Sequence, residues 1–157
     1  MIIIALLATM VVPIMRDLHS RAQRASCVNN LRGLYVAASA CLDSSGHWPQ
    51  VATGLMMSDA PEYARQWQAA LQPYGIAPIN WVCPTVQTGL GNPDLNKREN
   101  ARVDYLATPF DPDPIYPRKY PTHPWFTERG DVHGDGNLVV FANGSIKSLK
   151  EIFTDRQ

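Results

Sequence analysis

Asp131, His133, Asp135 and Asn137 alternate along the chain as D-x-H-x-D-x-N. Oxygen-rich alternation of this kind suits a calcium ion, and these four residues are the calcium candidates. No glutamate follows at the twelfth place, so the full EF-hand loop is absent. The competing reading is a polar loop in which His133 hydrogen-bonds a backbone carbonyl and pins the turn that follows. The other histidines, His19, His47 and His123, are scattered and lack zinc-ligand spacing. Cys27, Cys41 and Cys83 include no CxxC pair. A Cys–His nucleophilic pair needs partners that meet only in the fold. Cys27 and Cys41 read instead as core residues on one helical stripe. The sequence carries no G-x-S-x-G, HExxH or P-loop. The reading is therefore not an enzyme, with no cofactor beyond the calcium candidate and no small-molecule substrate.

Cys27 and Cys41 lie fourteen residues apart, about 21 Å along one helix. A disulfide needs Cα atoms within about 7 Å, so these two do not bond each other. Cys83 is eligible to bridge either one if the body lies outside the cytoplasm.

A long helix must carry the first two cysteines. Arg16–Ser44 contains no proline and one glycine, Gly33. Cys27, Leu31, Leu34, Ala38 and Cys41 recur at steps of four and three, one apolar stripe. Asp43-Ser44-Ser45-Gly46 supplies a stop. Upstream, MIIIALLATMVVPIM is interrupted only by Thr9 and Pro13 and carries no charged side chain. A spanning helix needs about 20 residues, so this stretch fits a signal-peptide core, a buried helix or a truncated membrane segment. Ile2, not Lys or Arg, directly follows Met1, and no convincing A-x-A cleavage site follows Pro13, which favours the truncated membrane segment. Ile2, Ile3, Ile4, Leu6, Leu7, Val11, Val12 and Pro13 are its expected membrane face. A helix from Ile2 to Ser44 is roughly 65 Å long, more than a body of this size covers. Its first half must bury in lipid or against copies of itself.

The chain of 157 residues is formally neutral, but three arginines and one aspartate before Cys27 leave +2 there and −2 in the remainder. Neutrality argues against a nucleic-acid partner. Arg16, Arg21 and Arg24, taken alone, would place the body on the cytoplasmic side.

Within the body, Asp59-Ala60-Pro61-Glu62 has capping-box form. Tyr63, Trp67, Ala70 and Leu71 then predict a helix over 60–72. Ile79–Val82 is a candidate short strand, Thr88–Asn100 a loop, and Pro109–Pro124 an extended stretch whose aromatics cap the domain. Asn143-Gly144 between apolar runs predicts a hairpin through a two-residue type I′ turn. That turn pairs Ala142 with Ser145, Phe141 with Ile146 and Val140 with Lys147, with Phe141, Ile146 and Val139 on one face.

Three stretches together resemble the prepilin-like proteins of diderm bacteria, type IV pilin and type II secretion pseudopilin relatives, in the branch with a C-terminal H-x9-D-G signature. They are IIIALLATMVVPIM, SRAQRASCVNNLRGLYVAASACLDSSGHWP with its S-C-x-N-N-L core (Cys27, Asn29, Asn30, Leu31), and the segment from His133 to Asn143-Gly144. Cys83-Pro84 resembles the family's mid-chain Cys-Pro. Asn143 stands where the family usually has Asp. The resemblance implies an α+β, pilin-like fold, with a long N-terminal helix on a small antiparallel sheet and irregular Pro-rich loops. Residues 1–25 would be the membrane and filament half of the helix, and residues 26–157 an extracytoplasmic globular domain. The leader and the first part of the membrane helix would lie upstream of Met1. The implied role is a structural subunit anchored in the inner membrane by a single pass. It would pack through its N-terminal helix with itself or other pilin-like subunits, in a pilus-like or type II secretion filament. The alternative is a membrane-tethered extracytoplasmic binding module that forms no filament.

Overall fold

A computed structural model describes the backbone of residues 2–113 and 115–155. Helix α1 (Ile2–Ser45) runs unbroken for 44 residues. It stops where the stop signal stands: Gly46 takes φ +75° and its N–H reaches the Leu42 carbonyl at 3.0 Å, a left-handed helix end open to glycine at little cost. The predicted stripe is the buried stripe, since Cys27, Leu31, Leu34, Ala38 and Cys41 all lie in the core, joined by Ala37 and Leu42. Among the described residues no helix is long and apolar enough to cross a membrane. The side chains of residues 2–14, on which the membrane face from Ile2 to Pro13 was read, lie outside the described set.

After α1 come a single-turn helix α2 (Leu55–Ser58) and helix α3 (Ala60–Leu71). Asp59 caps α3 as its sequence predicts, Oδ1 accepting the Glu62 N–H at 3.0 Å. Tyr63, Ala64, Trp67 and Leu71 form its buried face.

Ile79–Val82 is not a strand. Pro78–Trp81 is a 3-10 turn, started by Pro78 and closed by Asn80 Oδ1 on the Ala77 N–H at 3.0 Å. The Val82 carbonyl is taken by Asn30 Nδ2 of α1 at 3.1 Å. Helix α4 (Pro84–Gly89) follows with Pro84 in its first turn, so the loop expected from Thr88 begins inside that helix.

Strands β1 (Tyr105–Ala107), β2 (Pro124–Glu128), β3 (Leu138–Phe141) and β4 (Ile146–Ser148) form one antiparallel sheet in sequence order. Helix α5 (Leu149–Thr154) follows, closed by a reciprocal cap between Ser148 and Glu151. The fold is thus α+β, a long helix against a small four-stranded antiparallel sheet. Between them Trp48, Trp67, Trp81, Trp125 and Phe126 interlock, with ring centroids 5.0–6.4 Å apart among neighbours.

The terminal hairpin forms at the predicted place in a different register. Val140 pairs with Ile146, Val139 with Lys147 and Leu138 with Ser148. The Phe141 N–H bonds the Ser145 carbonyl at 2.9 Å, and the Gly144 N–H bonds the Phe141 carbonyl at 2.8 Å. The loop therefore has three residues, Ala142-Asn143-Gly144. Gly144 alone of them takes positive φ, +78°, which is a turn with a glycine bulge rather than type I′. The one-residue slip moves the shared faces: Val140 sits opposite Ile146 and is fully buried, while Phe141 is only half-buried.

The proline-rich stretch is irregular apart from a 3-10 turn at Tyr116–Arg118 and the start of β2 at Pro124. Of its aromatics only Phe110 caps the core, edge-on to Trp48 at 5.2 Å. Tyr116 and Tyr120 are exposed.

Candidate functional site

Cys27, Cys83, Glu128 and His133 meet beneath the inner face of α1. Four separate segments bring them there. Cys27 belongs to the buried stripe of α1. Cys83 precedes α4 in extended conformation, and Asp104 Oδ2 holds its N–H at 2.8 Å. Asp104 is itself held by Arg102 at 3.3 Å. Glu128 ends β2, where Tyr105 is its cross-strand partner. His133 comes from the β2–β3 loop, whose bend is held by Asp131 Oδ1 accepting the Gly134 N–H at 2.7 Å.

The thiols of Cys27 and Cys83 lie 3.0 Å apart. His133 Nε2 lies 3.3 Å from Cys27 Sγ and 3.8 Å from Cys83 Sγ. The same nitrogen is 3.3 Å from Glu128 Oε1, and both side chains are 2% exposed. Glu128 Oε2 accepts the Leu138 N–H at 3.3 Å, whereas Oε1 is buried without a hydrogen bond among the described residues.

The electrostatics follow from this crowding. The hydrogen bond that Cys27 gives to Cys83, and then burial, push the Cys27 thiol far above its ordinary value. The same bond is the largest cause pulling Cys83 down to about 6, with the backbone N–H groups of Val86 and Thr85 adding to it against burial. Burial pushes Glu128 up to about 7, opposed by the His133 charge. Tyr105, whose hydroxyl lies beside Asn30 and Cys27, is pushed up by burial.

The calcium candidates are not gathered around one point. Asp131 is spent on its own turn, Asp135 faces Arg24 at 3.6 Å, and Asn137 Nδ2 donates to the Glu128 carbonyl at 2.7 Å. The expected turn pin is not found: among the described residues His133 donates to no backbone carbonyl and turns inward to the cysteines instead. Asn143 Oδ1 braces the turn, accepting from the Ser145 N–H at 2.9 Å.

Of the motif residues, Cys27, Cys83 and His133 come together. Leu31 packs in the core one turn above Cys27, Asn30 ties α1 to Val82, Pro84 opens α4, and Asn29 is exposed. Cys41 lies along α1 away from Cys83, its sulfur 3.8 Å from Ser45 Oγ, so Cys27 is the cysteine placed beside Cys83. Glu128 was missed by sequence reasoning. The available signal was period-two alternation: Phe126 and Glu128 share a strand face, and Phe126 is core.

A scan against protein-family models and searches of curated proteins and of solved structures found no match to this chain.

Proposed function

We propose that this chain is a pilin-like structural subunit, anchored in the inner membrane through the head of α1 and packing with copies of itself or with related subunits. One observation carries the reading: α1 runs on as a single helix beyond the body that buries its other end. Among the described side chains, its first ties to the body are Gln23, which accepts from Thr85 Oγ1 at 3.1 Å, and Arg24, paired with Asp135 and Glu151. Before them residues 17–22 are exposed, and Met15 and Leu18 present 64% and 60% of their surface. Apolar side chains held out on a rigid helix favour burial in lipid or against a neighbouring helix. The extracytoplasmic placement of residues 26–157, and membership of a pilus-like or type II secretion filament, belong to the same proposal. In this reading the chain does no chemistry.

The test is membrane fractionation of the full chain, together with a photo-crosslinker introduced at Leu18. The expected result is recovery with membranes and crosslinks between subunits. A soluble, uncrosslinked monomer overturns both anchor and assembly. Recovery with membranes without crosslinks leaves the tethered binding module, for which the exposed Ile115, Tyr116 and Tyr120 of the proline-rich loop are the recognition surface.

A further inference from the structure

Three acceptor atoms crowd one nitrogen of His133, more than its single proton can serve. One imidazole nitrogen holds at most one proton and donates it in one direction. His133 Nε2 nevertheless faces Cys27 Sγ, Cys83 Sγ and Glu128 Oε1 together. Donated to either sulfur, the proton leaves Glu128 Oε1 buried and unpaired, as that oxygen stands among the described residues; donated to Glu128, it leaves both sulfurs without it. Nor is this a nucleophilic triad. A triad places its base between two partners, one on each ring nitrogen, whereas here sulfurs and carboxylate crowd the same nitrogen. Four donor atoms within 4.8 Å of one another instead point at a common centre.

We propose that Cys27, Cys83, His133 and Glu128 bind one zinc ion in a closed tetrahedral site. Bonds of about 2.3 Å to sulfur and about 2.0–2.2 Å to nitrogen and oxygen set neighbouring donors roughly 3.3–3.8 Å apart. The His133 contacts, at 3.3, 3.8 and 3.3 Å, already have that spacing. The sulfurs at 3.0 Å must part by less than about 1 Å. Thiolate and imidazole donors select zinc over calcium or magnesium. Leu138 N–H on Glu128 Oε2 and Asp104 on the Cys83 N–H supply the outer contacts that orient such ligands. With four protein ligands and no open position, the ion is structural: it ties α1 to the segment before α4, to β2 and to the β2–β3 loop. Zinc binding would release the protons that the thiols carry.

The test uses the full chain in detergent, freed of metal and held reduced. Zinc ion alone is titrated against a chelating indicator, and cobalt(II) is added in parallel as a spectroscopic probe. The expected result is one zinc per chain, a raised Tm, and tetrahedral thiolate-to-cobalt absorption. His133→Gln and Cys83→Ser should each weaken zinc binding by more than the 10–100-fold typical of losing an outer-sphere partner. Cys41→Ser, outside the cluster, should bind as the parent does. Circular dichroism of the metal-free variants checks that each is folded. Should either substitution unfold the chain, Glu128→Gln takes its place in the same titration. The proposal is overturned if the reduced chain takes up no zinc, if folded His133→Gln or Cys83→Ser binds as tightly as the parent, or if the cobalt form lacks thiolate bands. A Cys27–Cys83 disulfide in the isolated chain, with no zinc uptake after reduction, would assign the pair to a covalent bridge instead.

Discussion

A β-carbon on Gly144 would lie 3.1 Å from the ring of Tyr35, although 109 positions separate the two in sequence. The tyrosine hydroxyl donates to the carbonyl of Ala142, the first residue of the same turn, at 3.3 Å. Helix α1 thus holds the β3–β4 turn through one ring, and two constraints fall on Gly144: positive φ and a close neighbour. Gly144→Val is expected to destabilise the protein by on the order of 1–3 kcal/mol, more than Tyr35→Phe, which loses one hydrogen bond worth about 0.5–1.5 kcal/mol. Urea denaturation of the three proteins checks the order. Equal midpoints for Gly144→Val and the parent would remove the bulge from the argument.

The tryptophans of the core divide by their ring nitrogens. Trp48 and Trp125 are both fully buried. Trp125 Nε1 donates to the Pro117 carbonyl at 2.7 Å, whereas Trp48 Nε1 has no partner among the described residues. Trp125→Phe therefore strands a buried carbonyl and is expected to cost about 1–3 kcal/mol more than Trp48→Phe. Trp48→Ala, which opens a cavity among Trp67, Phe110, Trp125 and Phe126, should cost about 3–5 kcal/mol. Paired denaturation curves decide it, and the order of the two Phe variants is the informative readout.

Arg118 ties the proline-rich loop to the end of α1, with Nη1 at 2.6 Å from Asp43 Oδ1 and Nη2 at 3.4 Å from the Ser39 carbonyl. The Arg118 hydrogen bond holds the Asp43 carboxyl below its ordinary 3.8. A carboxyl depressed in the folded state favours folding above its unfolded value, and that contribution fades as pH falls through the lower, folded value. The pair is solvent-screened, so Asp43→Asn should leave global stability nearly unchanged. Its effect is local: limited proteolysis at pH 7 should cut the loop between 109 and 123 faster in Asp43→Asn than in the parent. Below about pH 3.8 the difference should shrink as the parent's own carboxyl protonates.

Asp59 has two duties, capping α3 and receiving Arg98 Nη2 at 3.2 Å. Asp59→Ala should cost about 0.5–2 kcal/mol through the lost cap. Arg98→Gln should cost less, since Arg98 is an exposed partner. If thermal melts show the two variants equal, the ion pair rather than the cap is the stabilising element.

Elements whose evidence is local were legible in the sequence. The stripe Cys27, Leu31, Leu34, Ala38 and Cys41 determined the buried face of α1, because helical periodicity is a property of consecutive residues. Asp59 with Glu62 determined the start of α3, and Asn143-Gly144 the place of the last turn. What required the tertiary structure was everything set by segments meeting. Two-residue and three-residue loops both fit the sequence around Asn143-Gly144. The choice fell to contacts from outside the hairpin: Tyr35 against the turn, and Val140 facing the core where the alternative register would turn Phe141 inward. β1, three residues long, and β2, interrupted by a bulge next to Pro124, are too short or irregular to show strand periodicity. They become strands by pairing. The cluster under α1 is the extreme case. Cys27 and Cys83 are 56 residues apart, and Cys27 and His133 are 106 apart. Chain spacing carries no information about such meetings, so the histidine that looked like a turn pin found its partners only when α1 was laid across the sheet.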